Sequence, residues 1–155
     1  MNSPLTFRPA SDADKAPVGA LLATCKLAPN AFDRQFGESF VVAFDADGRL
    51  VGVAGVERYG SDGLFRSAAV HPDWRGRGLG QALTRDRIDW ARAAGLRALY
   101  LLTETAADFW PRFGFERIAR DGAPEAVAAS PEWAGGCPAS AVAMSLALSP
   151  ARVLE

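Results

Sequence analysis

The sequence predicts one domain of the mixed α/β class, in which helices flank a mixed central β-sheet. Three apolar segments separated only by short turns predict an antiparallel meander. A long segment with apolar residues at helical spacing follows, so the next apolar run is expected to lie parallel to the strand before it. The chain has 155 residues, the usual length of one domain. We expect a single domain over residues 1–155, with a tail from about residue 150.

The segment before the meander predicts a strand and a helix. Residues 5–9 have a short strand pattern. Ser11 is a suitable N-cap, and an apolar helical face follows, formed by Val18, Leu21, Leu22 and Cys25 and expected to be part of the core. Residues 26–39 are less regular, and a short second helix is expected around residues 31–36.

The remaining elements follow from apolar runs and from the residues that end them. Residues 40–44, 50–59 and 64–70 are the meander strands, and Gly48 ends the first turn between them. Residues 78–94 are the long helix, which Gly95 ends. The later elements are a strand at 96–103, a short or kinked helix at 105–113, a strand at 115–119, a brief helix and a loop within 123–136, and a strand at 141–148.

Glycine and arginine are concentrated where the long helix begins. Gly76, Gly78 and Gly80 alternate there with Arg75 and Arg77. Glycine lets a ligand approach the backbone closely, and the first N–H groups of a helix attract anions. We therefore predict a phosphate-bearing ligand, most simply a pyrophosphate. An ordinary glycine-rich turn between a strand and a helix is the alternative.

Two common phosphate motifs do not fit this loop. A Walker loop has Lys and then Ser or Thr after its last glycine, whereas Gln81 and Ala82 follow Gly80. The dinucleotide fingerprint needs a third glycine at the position of Gln81. The remaining pattern is Arg-x-x-Gly-x-Gly.

Composition argues against several functional classes. A net charge of −1 and a hydrophobic fraction of 49% indicate neither disorder nor bulk attraction to nucleic acid. No apolar run approaches the roughly 18 residues of a membrane helix, and no signal-peptide pattern precedes the first strand. We expect a cytoplasmic location and no membrane partner. One histidine and two scattered cysteines give no cluster of metal ligands, so no metal is expected.

The glycine loop resembles the coenzyme A pyrophosphate loop of the GNAT acetyltransferase superfamily, whose pattern is matched by Arg75, Gly78 and Gly80. The order of elements is similar to that of the GNAT fold over essentially the whole chain. The resemblance implies acetyl-CoA as the cofactor, in a V-shaped opening between the third meander strand and the parallel strand. The cofactor-binding residues that it implies are Ala68, Ala69, Val70, Arg75, Gly76, Arg77, Gly78, Leu79, Gly80, Gln81, Phe109 and Trp110.

Two later stretches of the sequence indicate which subfamily of the GNAT superfamily the chain resembles. Tyr100-Leu-Leu-Thr-Glu-Thr-Ala106 and Phe109-Trp110-x-Arg112-x-Gly114-Phe115 look like the small N-acetyltransferases of bacterial arsenic-resistance operons. They resemble more loosely the domain that makes N-acetylglutamate. The resemblance implies direct acetyl transfer to a small amine, such as an amino acid or an organoarsenical or phosphinic analogue. The alternatives are an N-acetylglutamate-type enzyme, a catalytically weak acyl-CoA sensor and a protein N-acetyltransferase; homodimers occur in this superfamily.

The usual acid and base of the superfamily are both replaced in this chain. Many members have Glu where this chain has Leu64, and many have Tyr where it has Trp110. The indole N–H can donate a hydrogen bond but does not usefully release its proton. Glu57 and Glu104, each at a predicted strand end, are the candidate replacement bases, and for each the alternative is an exposed charge.

Arg66 is the most informative residue outside the glycine loop. Alternation along the strand puts it on one face with Leu64, Ala68 and Val70. An unpaired charge in an apolar strand is costly, so Arg66 needs an anionic partner. That partner is either a substrate carboxylate or similar oxyanion, held by the guanidinium fork, or an internal Glu57 or Glu104.

Several other polar residues have more than one interpretation. Tyr59, Thr103 and Thr105 are expected to line the substrate pocket, although Tyr59 also suits a turn and Thr105 an N-cap. His71 titrates in the range useful for catalysis, but its place before Pro72 favours capping or solvent contact. An acetyl-enzyme at Cys137 is the alternative to direct transfer, which we favour because no histidine is placed beside Cys137.

Overall fold

The computed structural model describes residues 5–27, 35–136 and 140–148. The strands are β1 (Thr6–Pro9), β2 (Phe40–Phe44), β3 (Leu50–Tyr59), β4 (Asp62–Val70), β5 (Ala98–Thr103), β6 (Glu116–Ile118) and β7 (Val142–Ala147). The α-helices are α1 (Lys15–Thr24), α2 (Leu79–Ala93) and α3 (Glu125–Ala128). Short 3-10 helices span Asp12–Asp14, Pro72–Trp74, Trp110–Phe113 and Arg120–Gly122, and a π-helical turn spans Glu132–Gly136.

The strands form one mixed sheet in the order β1-β2-β3-β4-β5-β7-β6. β1 and β3 both pair antiparallel with β2. β4 and β5 are parallel, with Asp62–Leu64 opposite residues 98–100, because α2 lies between them in the chain. β7 pairs antiparallel with β5 on one side and with β6 on the other. The predicted mixed sheet with a parallel pair is confirmed.

The chain divides into two compact units. The first comprises Met1–Val56 and Ser67–Arg87, and the second comprises Glu57–Arg66 and Ile88–Glu155. In the first unit the helical face predicted for α1 is buried in a core with residues of β2 and β3. Gly52 lets α2 approach the sheet, since a Cβ atom there would lie 2.9 Å from Leu83 Cδ1.

An ion pair between the exposed Arg8 and the buried Asp14 fixes the chain just before α1. Arg8 donates two hydrogen bonds to the Asp14 carboxylate, at 2.7 and 2.9 Å, and the Ser11 N–H donates to the same group. These bonds, led by that from Arg8, lower the pKa of Asp14 below its usual 3.8. Ser11 is the N-cap, as predicted, but of the 3-10 helix Asp12–Asp14, and α1 itself begins at Lys15.

The second unit has side chains packed on both faces of its strands. Leu64 belongs to a buried cluster with Val127, Trp133 and Ala143. Its neighbour Phe65, on the opposite face by alternation, packs in a separate aromatic cluster. The members of that cluster are Phe65, Phe109, Trp110, Phe113 and Phe115.

Most predicted elements lie within two residues of the observed bounds, but the helix predicted over residues 105–113 is wrong. The Thr103 hydroxyl accepts a hydrogen bond from the Ala106 N–H, which forms a turn instead of a first helical turn. Pro111 has no N–H, and Gly114 adopts φ +100°, so only the 3-10 helix Trp110–Phe113 forms. The helix predicted at 31–36 falls mostly outside the described residues. None of the described helices is long and apolar enough to span a membrane.

Gly55 gives a test of packing in the first unit. It lies opposite the fully buried Phe40, and a Cβ atom at Gly55 would overlap the Phe40 ring. We expect Gly55→Ala to lower the free energy of unfolding by about 1–3 kcal/mol, measured by urea denaturation. Gly37→Ala is the control, since no described residue lies within 4 Å of its Cβ position. Equal stabilities of the two variants would contradict this account.

Candidate active site

The loop before α2 has the backbone that a phosphate site needs. Gly76 and Gly78 have φ of +77° and +83°, a left-handed conformation that strains any residue with a side chain. The Ala82 N–H donates to the Gly78 carbonyl, so the preceding N–H groups at the start of α2 lack helical acceptors. These groups and the helix dipole favour an anion at this end of α2.

Two exposed arginines add positive charge to this loop. The Arg77 guanidinium lies 4.6 Å from the ring centroid of Trp74, which is buried. Arg75 Nη2 lies 3.5 Å from Cys25 Sγ, and the Cys25 thiol in turn donates to the Val70 carbonyl. Cys25, predicted as a core residue, is half-buried beside the loop. Both guanidinium groups therefore sit within the anion-attracting segment.

β4 contains an unusual residue where the strand approaches the loop. Ser67 has φ +58°, which is uncommon for a residue other than glycine. A left-handed residue interrupts the period-two alternation of a strand. Alternation therefore no longer predicts that Arg66 shares a face with Ala68 and Val70, because the left-handed Ser67 lies between Arg66 and these two residues. Beyond Ser67, Ala69 is buried in the core of the first unit, while Ala68 and Val70 are half-buried.

His71 caps a short helix, as the sequence analysis favoured. Its Nδ1 accepts a hydrogen bond of 3.1 Å from the Asp73 N–H, at the start of the 3-10 helix Pro72–Trp74. The backbone N–H of His71 donates to the Val51 carbonyl. His71 Nδ1 therefore serves as a hydrogen-bond acceptor for the backbone.

In the second unit, Arg66 lies between two carboxylates. Its Nη1 is 3.4 Å from Glu57 Oε2, and its Nη2 is 3.3 Å from Glu132 Oε1. The side chains of Arg66 and Glu57 are each 3% exposed, and that of Glu132 is 12% exposed. The Tyr59 hydroxyl donates to Glu57 Oε1 at 2.6 Å.

This arrangement selects between the two predictions for Arg66. The internal ion pair with Glu57 is present, and the alternative of an exposed charge at Glu57 is wrong. A substrate-binding fork needs donors that are accessible, whereas this guanidinium is buried and already engaged. Glu132 was not among the predicted site residues. It is distant from Arg66 in the chain, and no periodic pattern in the sequence marks it.

The charge state of Glu132 depends on its surroundings. Burial raises its pKa above the usual 4.5, Arg66 opposes this rise, and the Glu57 carboxylate adds to it. The more distant Arg120 also opposes it. The folded protein therefore holds the Glu132 proton more tightly than the unfolded chain does.

The residues predicted at the end of β5 have different environments. Thr103 is buried, and its hydroxyl is used in the turn to Ala106. Glu104 and Thr105 are exposed, and no helix begins at Thr105. The exposure of Glu104 agrees with the second interpretation given for it, an exposed charge.

The indole nitrogen of Trp110 is buried, and no described residue accepts a hydrogen bond from it. Its ring packs edge-on against Phe65, with centroids 5.3 Å apart, and against Phe109. Its Nε1–H has no hydrogen-bond partner in the part of the chain that the structure describes. A buried N–H without an acceptor is costly, so this atom suits a ligand that brings one. The same described ranges hold no group of three possible metal-ligating side chains.

Arg66, Glu57, Glu132 and Tyr59 form a buried charge cluster, and the removal of Arg66 tests it. Arg66→Met leaves Glu57 and Glu132 buried beside each other without their cation. We expect a loss of about 3–5 kcal/mol in the free energy of unfolding at pH 8. The loss should be smaller at pH 5, because the pKa of Glu132 rises further once Arg66 no longer opposes the rise, and protonation of Glu132 removes the repulsion.

Urea denaturation at the two pH values measures this difference. Arg117→Met, at an exposed position of β6, is the control and should lose little stability at either pH. A loss for Arg66→Met that is the same at pH 5 and pH 8 would argue against a charge cluster.

The sequence matches proteins of one family. The profile of the acetyltransferase (GNAT) domain matches residues 36–117. The uncharacterised protein ML0378 of Mycobacterium leprae is 40% identical over 99 residues, covering 57% of this chain and 26% of that protein. The N-alpha-acetyltransferase RimI of Mycobacterium tuberculosis is 32% identical over 100 residues, covering 58% of this chain and 61% of that protein. The match thus spans less than two thirds of either relative's length.

Solved structures show the same fold. N-acetylglutamate synthase from Neisseria gonorrhoeae, complexed with coenzyme A and N-acetyl-glutamate, gives a TM-score of 0.79 at 20% identity, over 96% of this chain and 36% of that chain. The ribosomal-protein-S18-alanine N-acetyltransferase of Escherichia coli gives a TM-score of 0.72 at 19% identity. The match covers 96% of this chain and 97% of that chain. The predicted GNAT fold is confirmed. Since the profile spans more than half of the sequence, the chain belongs to the GNAT acetyltransferase family, whose members take an acetyl group from acetyl-CoA.

Proposed function

We propose that this chain is an N-acetyltransferase that moves the acetyl group of acetyl-CoA directly to a primary amine. The observation that supports this most is the glycine loop, which combines left-handed Gly76 and Gly78 with the start of α2 in a chain of the GNAT family. Backbone N–H groups from Arg75 to Gln81 are proposed to hold the pyrophosphate. The cofactor supplies the acetyl group as an activated thioester.

The proposed donor site uses the backbone of β4 as well as the loop. Backbone N–H groups near Ala68, Ala69 and Val70 are proposed to polarise the thioester carbonyl, an effect that is worth roughly 3 kcal/mol per well-placed donor. Phe109 and Trp110 stay predicted contacts of the cofactor, as the resemblance implies. The unpaired Nε1–H of Trp110 fits this role, because it needs an acceptor that the described protein does not provide.

The proposed reaction is direct nucleophilic attack. The neutral amine nitrogen attacks the thioester carbonyl carbon, so that the C–N bond forms while the C–S bond breaks. The acceptor enters as an ammonium ion and loses two protons, of which one ends on the coenzyme A sulfur and the other reaches solvent through a base. An indole N–H does not usefully release its proton, so the amine proton that ends on the sulfur travels through solvent rather than through Trp110.

The candidates for the acceptor amine come from the proteins that this chain resembles. Free amino acids and their organoarsenical or phosphinic analogues follow from the resemblance to the arsenic-resistance enzymes, and glutamate from that to N-acetylglutamate synthase. A protein N-terminus is a second candidate, supported by the 32% identity to RimI. An acyl-CoA sensor without turnover is a third, supported by the replacement of the usual base and acid by Leu64 and Trp110. A cytoplasmic location stays a prediction.

A panel of amines tests the reaction class. We expect release of free thiol from acetyl-CoA with at least one of glutamate, arsinic and phosphinic amino acids, simple primary amines and a peptide with N-terminal alanine. Mass spectrometry should show one added acetyl group on the same amine. Saturable acetyl-CoA binding with no thiol release would instead support the sensor.

Gly78→Ala tests the glycine loop. We expect at least tenfold weaker binding of acetyl-CoA by calorimetry, because alanine strains the left-handed backbone that presents the N–H groups. Gly48→Ala is a matched control, since Gly48 has a similar φ of +81° and equally open surroundings but lies in the β2–β3 turn. Both variants should lose similar stability. Equal acetyl-CoA affinity in the two would exclude the loop as the binding site.

A further inference from the structure

Among the residues that the structure describes, the buried charge cluster of the second unit has two carboxylates and one guanidinium. Arg66 is shared by Glu57 and Glu132, and the fourth member, Tyr59, is neutral. Arg120 is the next cation, but its Nη2 donates to the Trp133 carbonyl and its guanidinium lies 5.8 Å from the Trp133 ring centroid. A buried carboxylate without its own cation is unfavourable, so this cluster favours a further positive charge.

The two carboxylates are not equivalent. Both oxygens of Glu57 are engaged, one by Arg66 and the other by Tyr59. Glu132 contacts Arg66 through Oε1, and no second hydrogen-bond or ion-pair partner is found for it within the described ranges. Glu132 is also the most exposed of the three charged side chains, and it begins a π-helical turn, an irregularity that is frequent at functional sites.

The side chains around this cluster suit an ammonium group. Tyr59 and Tyr100 are only partly buried, and Tyr100 meets the Trp133 ring edge-on at 6.4 Å. Burial, followed by the Asp62 charge, raises the pKa of Tyr100, so its hydroxyl stays neutral at physiological pH. Aromatic faces attract organic cations, whereas they offer nothing to a carboxylate.

We infer that Glu132 binds the ammonium group of the acceptor and takes its proton, with Arg66 and Glu57 as positioning residues. The acceptor is then a cationic primary amine without an acidic group, in contrast to the amino acids that the resemblances favour. This inference rests on the proposed acetyltransferase function. An acidic amino acid would bring a third carboxylate to a cluster that has one buried guanidinium, so like-charge repulsion would oppose its binding.

The proton balance is complete without another reactant. The ammonium N–H passes its proton to Glu132, and the neutral nitrogen attacks the thioester carbon. The second amine proton neutralises the coenzyme A thiolate through solvent, and Glu132 returns its proton to water. Each turnover converts acetyl-CoA and R-NH3+ into R-NH-acetyl, coenzyme A and one proton.

A pair of substrates that differ only in a carboxylate tests this inference in the unaltered protein. We expect kcat/KM for tyramine to exceed that for tyrosine by tenfold or more. A preference for tyrosine, or for glutamate over simple amines, would overturn the inference and leave the acetyltransferase function intact. Failure to bind acetyl-CoA, or to acetylate any amine, would instead remove the proposed function itself.

Glu132→Gln tests the role of the carboxylate. We expect kcat/KM for tyramine to fall by about 10²-fold or more, with acetyl-CoA affinity unchanged. The titration of Glu132 should also disappear from the pH profile of kcat/KM; the neighbouring groups Glu57, Tyr59, Arg66 and Arg120 remain in the variant. Glu116→Gln, at an exposed position of β6, is the control.

Glu132→Asp keeps the charge and should restore part of the rate, which separates a chemical from a merely structural role. If Glu132→Gln does not fold, this variant and the tyramine–tyrosine comparison decide the question. A Glu132→Gln protein that keeps the wild-type kcat/KM and pH profile with tyramine would overturn the inference.

Discussion

The burial of Arg66 imposes a constraint that the second unit must satisfy. A guanidinium loses most of its hydration in an apolar strand, and only nearby carboxylates can compensate for that loss. Glu57 from β3 and Glu132 from the π-helical turn provide them. The same contacts attach a long irregular segment to the sheet and leave a surplus negative charge beside partly buried aromatic rings. Structural pairing and the proposed chemistry thus depend on one cation.

The donor loop depends on backbone conformation more than on side-chain packing. No described residue lies within 4 Å of a Cβ atom built on Gly76 or Gly78, so crowding by that part of the chain does not explain these glycines. Their positive φ values do, because a residue with a Cβ atom is strained at such angles. Arg77 is held by its contact with Trp74, which keeps a positive charge beside that segment.

Local features of this fold were predictable, whereas long-range ones were not. The strand bounds, the glycine loop and the parallel pair follow from short patterns in the sequence. Ser67 gave no warning of its left-handed backbone, since serine is not typical of that region. The helix expected at 105–113 failed because one side chain, Thr103, takes the Ala106 N–H. Glu132 was missed because partners far apart in sequence leave no periodic signal.

The position of β7 between β5 and β6 has a consequence for synthesis. β6 is made before β7, yet its sheet neighbour is β7, and Ala98 of β5 pairs with Ala147. On a ribosome, β5 and β6 therefore emerge without the strand that joins them, and their edges stay open while α3 and the π-helical turn are added. Pairing across such separations slows folding and exposes strand edges. The second unit should thus be the part of a nascent chain that chaperones bind longest.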